Sequence, residues 1–145
     1  MNKAFKLGVT ALVAVSFGGL AVTSADAATW HKGLPKFVRN KKFRTKYENK
    51  QKDYTWAKGT KHTFTIKHTQ AGVTVAQKVK YQKKGKTYLI KGGYPDRATL
   101  KMHAIYYRVQ KVSNKKIKAG EGKHGKLLTM HKIKHFPRVN GQIWN

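Results

Sequence analysis

Every periodic apolar run downstream of residue 28 repeats every second residue, and none repeats at the 3.6-residue interval of a helix. Phe64, Ile66 and His68 alternate with Thr63, Thr65 and Lys67. Beyond a turn at Thr69, Gln70, Ala71 and Gly72, the residues Val73, Val75, Val79 and Tyr81 alternate with Thr74, Ala76, Lys78 and Lys80, Gln77 alone interrupting the apolar row. The two runs read as a hairpin of half-buried strands.

The pattern continues to the end of the chain. Lys83-Lys84-Gly85-Lys86 is a turn into a strand over 87–91, and Gly92-Gly93-Tyr94-Pro95-Asp96 is a third break. The longest strand candidate covers 99–112, with Leu100, Met102, Ala104 and Tyr106 on the inward face and a bulge near Tyr106-Tyr107 shifting the apolar phase to Tyr107 and Val109. Ser113-Asn114 turns into a strand over 115–118, and a glycine-rich loop over 119–125 precedes a last strand over 126–134. Upstream, 35–47 forms a first strand bent at Asn40. Six to eight short strands at this spacing predict an all-β fold, a small antiparallel meander forming a closed or partly open barrel. Closure removes the edges a long meander exposes, and outward Lys protects any that remain.

Charge bears on where such a domain works. Lys3 and Lys6 precede an uncharged, mostly apolar run over 7–22, and Ala25-Asp26-Ala27 offers small residues where a signal peptidase cuts, so residues 1–27 read as a signal-peptide helix cleaved after Ala27. The run is short of the roughly 20 residues a bilayer span requires, so no transmembrane anchor is expected in the secreted form. Without Cys there is no lipoprotein anchor, and Asn140-Gly141-Gln142-Ile143-Trp144-Asn145 is no hydrophobic sorting tail. Residues 28–145 then form a single basic domain with 30 Lys and Arg against four acids, a formal +26. That domain has to fold without disulfides, a habit of proteins exported by Gram-positive bacteria. Trp30 and Trp144, with Phe136, Val139 and Ile143, are expected to close one end of the barrel.

The mature start Trp30-His31-Lys32-Gly33-Leu34-Pro35-Lys36, followed by Arg39 and Lys42-Phe43-Arg44-Thr45-Lys46-Tyr47, resembles the Trp-x-Lys-Gly-x-Pro-Lys opening of small basic secreted proteins of lactic-acid bacteria, a largely uncharacterised family. Where that pattern continues Leu-Arg-Gly-x-Trp, this chain has Val38-Arg39-Asn40-Lys41-Lys42-Phe43. The resemblance covers about the first 20 mature residues. It implies an extracellular location and a lipocalin-like barrel, and it carries over no catalytic residue.

Only Arg39, Arg44, Arg97, Arg108 and Arg138 are arginines; the other basic residues are Lys. Lysine is a hydrated point charge, whereas arginine offers the planar fork that reads bases and phosphates. The composition therefore favours diffuse attraction to a polyanion over sequence-specific nucleic-acid binding. The expected partners are anionic cell-wall polymers such as teichoic acids, or an anionic membrane surface. Solubility alone needs a net charge of only about 2 to 8. The basic residues expected to carry the contact are Lys41, Lys42, Arg44, Lys46, Lys78, Lys80, Lys83, Lys84, Lys115, Lys116 and Lys118. Tyr54 and Trp56, in a loop over 53–59, are the candidate platform for stacking on sugar rings.

Catalysis has few residues to use. Glu48, Asp53, Asp96 and Glu121 are the acids beyond the leader, Ser113 is the only serine there, and cysteine is absent. The enzymatic alternative is a small basic nuclease with Glu48 or Glu121 as general base and a His as acid. The seven histidines have no His-x-His or His-Glu-x-x-His spacing, so no metal or other cofactor is expected. Since an ordinary histidine titrates near 6.5, mild acid would add up to seven charges and strengthen binding. A further alternative is a carrier of a small apolar ligand, its cavity lined by Val73, Val75, Val79, Tyr81, Leu100, Met102, Ala104 and Tyr106.

Overall fold

A computed structural model describes residues 28–137, so residues 1–27, expected to be a signal peptide, and the proposed closing residues Val139, Ile143 and Trp144 lie outside the described residues. Nine antiparallel strands form one sheet: β1 (His31–Lys32), β2 (Lys41–Arg44), β3 (Thr55–Gly59), β4 (Phe64–His68), β5 (Gln77–Lys84), β6 (Thr87–Pro95), β7 (Met102–Lys111), β8 (Lys116–Glu121) and β9 (Leu128–Ile133). No helix occurs among the described residues. The short β1 takes the count one past the expected upper limit.

Chain order and spatial order agree around the barrel. The strands β2, β3 and β4 are successive neighbours, as are β5 through β9, and β9 returns to pair with β2 through Lys42 opposite Ile133 and Arg44 opposite His131. The remaining seam, between β4 and β5, is held by the single bridge of Phe64 with Ala76, whose two N–H···O bonds are both 3.0 Å. Past that bridge the free edge of β5 changes partner. Val79 N–H donates to His62 O at 3.2 Å, while Gly33 N–H donates to Val79 O at 2.8 Å and β1 pairs onward to Tyr81. The barrel is therefore partly open, and β1 covers part of the edge that β4 leaves bare.

Inward residues of all eight long strands meet in one core: Phe43, Ala57, Phe64, Val79, Ile90, Ile105, Tyr107, Val109, Ile117, Ala119 and Met130 are buried together. The segment between β1 and β2 plugs one end. It is a turn, so that of the strand expected over 35–47 only 41–44 is extended, with Val38 and Arg39 N–H both reaching Pro35 O and Asn40 bending the chain at φ 53°, a left-handed conformation that Asn tolerates. Leu34 and Val38 are fully buried beneath it. Gly59 makes the close approach possible, because a Cβ there would overlap the Val38 carbonyl and stand 3.0 Å from Leu34 Cδ1.

Three expectations are corrected. Met102 and Leu100 are 57% and 80% exposed and Ala104 is exposed too, while Ile105, Tyr107 and Val109 are buried, so β7 faces inward with the opposite row and has no bulge at Tyr106. Val73 and Val75 are exposed ahead of β5, and the bulge lies between Gln77 and Lys80, with Lys78 at φ 49°, so that Ala76 and Val79, three apart, both point inward. Gly92 and Gly93 are not a break: β6 runs through them, and Gly92 lets Ala76 and Val79 pack against its backbone. The residues assigned to a ligand cavity thus divide between core and surface, with Val79 in the hydrophobic core and Tyr81 packed against it.

Candidate basic binding site

The partner exchange on β5 opens a pocket. Where β4 and β1 diverge from Val79, a cleft of about 590 Å³ is lined by Lys32 and Gly33 from β1, Arg39 from the plug, Lys61 and His62 from the β3–β4 turn, and Lys78, Val79 and Lys80 from the bulge. Five of these side chains are Lys or Arg, and no carboxylate of the described residues lines the cleft. Each wall has a local cause. Thr60 Oγ1 accepts the N–H groups of His62 and Thr63 at 3.2 and 3.0 Å, fixing the tight turn that presents Lys61 and His62. Gly33 holds φ at 82°, and the bulge turns Lys78 beside Lys80.

Arg39 is the least solvated of the five cations. One terminal nitrogen donates to Leu34 O at 2.8 Å, which fixes the guanidinium against the plug. Its Nε is buried and has no hydrogen-bond partner among the described residues. Leaving a buried donor unsatisfied costs roughly 1–3 kcal/mol.

From the cleft a row of cations crosses the outer sheet face. Lys32 lies opposite Lys80, Lys80 opposite Lys91, and Lys91 opposite Tyr106. Neighbouring strands are about 4.8 Å apart, so three lysines leave the same sheet face from directly opposed positions. Like charges directly opposite each other oppose folding by some tenths of a kcal/mol per pair. Aromatic faces offset part of this: Lys80 Nζ lies 5.2 Å from the Trp30 ring centroid, and Lys91 and Lys123 lie 5.5 and 4.4 Å from that of Tyr106. Carboxylates do not. The two ion pairs between described residues both use histidine, Glu48 with His68 at 3.0 Å and Asp96 with His103 at 3.7 Å.

Asp53 and Asp96 are engaged in holding turns. Asp53, 1% exposed, accepts from Asn49, Thr69 and Gln70 at 2.7, 2.9 and 2.7 Å, and these bonds, Asn49's foremost, hold its pKa below the ordinary 3.8. Asp96 accepts the N–H groups of Thr99 and Ala98, which lowers its pKa likewise. Glu121 lines a smaller recess of about 370 Å³ at the mouth between β3, β4, β7 and β8, together with His68, Lys126 and Tyr107. Burial pushes the Tyr107 phenol well above its usual range.

Of the basic residues expected to act together, Lys78 and Lys80 enter the cleft. Lys83 and Lys84 lie farther along β5 toward its turn with β6, Lys83 near the Tyr88 ring. Lys41, Lys42, Arg44 and Lys46 lie on and after β2, and Lys115, Lys116 and Lys118 on and before β8, a separate region of the barrel joined through β9 by Lys116–His131–Arg44. There Arg44 packs over Tyr47 and Tyr54, and Lys42 over Phe136. The sugar platform is overturned. Tyr54 is fully buried and Trp56 is 6% exposed, in and beside strand β3 instead of a loop, with Phe136 stacked on Trp56 at 4.9 Å on the barrel's outside. Tyr54 also donates to Pro137 O at 3.1 Å.

Lys32, Arg39, Lys61, His62 and Lys91 were missing from the expected set. Lys32 and Arg39 fall within the opening that resembles the secreted family, but no local pattern ties them to Lys61 or Lys78. No family model, curated protein or solved structure matches this chain.

Proposed function

We propose that this is a secreted, non-catalytic protein that associates with anionic cell-surface polymers, teichoic acids among them, through the cleft and the lysine row of β1, β5 and β6. The observation that carries this reading is the uncompensated row Lys32–Lys80–Lys91 leading from an acid-free cleft with five cations. Such an arrangement works against folding and is relieved when a polyanion supplies the missing negative charge. Residues 1–27 as a cleaved export signal, and the family of small basic secreted proteins of lactic-acid bacteria, are part of the same proposal. A polymer tracking the row needs regularly spaced charge and no base readout, in keeping with the predominance of Lys.

The nuclease alternative is less favoured by the geometry. His68, the histidine beside Glu48, has Nε2 on that carboxylate at 3.0 Å and Nδ1 within 3.4 Å of the Gln70 N–H, so neither ring nitrogen is free to serve a nucleophile or leaving group. None of the four carboxylates lines the cationic cleft.

Retention on purified cell walls, with and without teichoic acid, across a salt series tests the proposal. Binding should vanish with the teichoic acid and fall steeply with salt. Salt-resistant retention on stripped walls would refute it in favour of a neutral glycan site.

A further inference from the structure

We infer that the cleft at the β4–β5 seam is a discrete, saturable site for one phosphate group, with Arg39 as its fixed donor, and that the lysine row is the track leading from it. This rests on the polymer-binding reading and goes beyond it, since diffuse attraction needs no built site. The cleft differs from the rest of the basic surface in three respects. Its cations come from four separate chain segments and converge on one volume, whereas Lys83, Lys84 and Lys118 lie along extended strands. Its guanidinium is fixed by the bond to Leu34 O where Arg39 lines the cleft, which presents a pre-oriented planar fork of the kind that binds an oxyanion. Its backbone wall is kept low by Gly33, where a Cβ would stand 3.3 Å from Lys61 O.

At about 590 Å³ the cleft exceeds a bare phosphate and has room for the polyol or sugar attached to it. Lys80, shared between cleft and row, then receives the next charge along the chain. The ligand class is a phosphomonoester or phosphodiester of a polyol, and free inorganic phosphate shares the same anchoring chemistry.

The test is calorimetric titration of the full-length protein with a short glycerol-phosphate oligomer and, separately, with inorganic phosphate. One oligomer per chain is expected at saturation. Saturation by the oligomer assigns the site to chain-borne phosphate, and saturation by inorganic phosphate alone assigns it to the free anion; both support a discrete site. The variant Lys61→Gln/Lys78→Gln should weaken binding at least about tenfold, against less than about threefold for Lys84→Gln/Lys118→Gln, which removes the same charge elsewhere. Arg39→Lys keeps the charge but removes the planar donor, so its affinity should also fall about tenfold. Equal losses in the two double variants, with Arg39→Lys unchanged, would overturn the site while leaving polymer association standing. Failure of the unaltered protein to bind any anionic polymer would instead remove the broader reading.

Discussion

Replacing Lys80 and Lys91 with Gln removes two of the row's three lysines without touching the core, since Lys80 is exposed and Lys91 points outward opposite Tyr106. Lys32, Arg39, Lys61, Lys78, Lys80 and Lys91 together present six cations to a polymer lying across β1, β5 and β6. For a flexible single-stranded polyanion each neutralised phosphate contributes about −0.7 to the slope of log affinity against log salt. Six contacts give a slope of about −4, an affinity loss of about 300-fold between 50 and 200 mM salt. The double variant retains four contacts. Its slope should be about −2.8 and its loss over the same interval about 50-fold. Binding of the full-length protein to poly(glycerol phosphate), followed by calorimetry or fluorescence across that range, measures both slopes. An unchanged slope in the variant, or an equal change in Lys84→Gln/Lys118→Gln, would refute the assignment of the track to this face.

Gly59→Ala should destabilise the fold by about 1–3 kcal/mol, because its methyl group would overlap the Val38 carbonyl. Urea unfolding reads the loss, and anion binding should weaken with it, since the displaced plug carries Arg39. Phe64→Ala removes a fully buried ring set edge-on to Tyr107 at 5.2 Å and should cost about 3–5 kcal/mol; a loss under about 1 kcal/mol would show that the seam contributes little to stability. Asp53 has a lowered pKa in the fold, so its stabilisation is complete above the ordinary 3.8 and is lost as pH falls through the lower folded value. The difference in melting temperature between the unaltered protein and Asp53→Asn should therefore be largest near neutral pH and shrink in strong acid; a constant difference would contradict the role of its hydrogen bonds.

Strand-forming character was legible wherever it depended on neighbours in sequence. The Gly85 turn, with Gly at φ 59°, and the strand into Ile90 follow from residues within ten positions of each other. Facing was legible only in part: Phe64, Ile66, Val79 and Tyr81 pack in or against the core as their alternation implies, whereas on β7 it was not legible. Leu100, Met102, Ala104 and Tyr106 form as apolar a row as Ile105, Tyr107 and Val109, and a period of two does not say which row meets the core. Pairing with β6 and β8 decided it. The Val73 and Val75 expectation failed because one bulged residue at Lys78 reverses every side chain ahead of it.

The sequence by itself determined the class of fold and the sign of its surface charge: alternation with closely spaced turns leaves only an antiparallel sheet system, and 30 cations against four acids over 28–145 make that surface strongly positive. Tertiary structure alone decided which cations lie together. Lys32, Arg39, Lys61 and Lys78 are separated by loops and strands that carry no shared pattern, and they meet because β5 exchanges β4 for β1 at Val79. That exchange is a property of the incompletely closed order of strands, in which the gap at the β4–β5 seam creates a pocket that no local run of residues encodes.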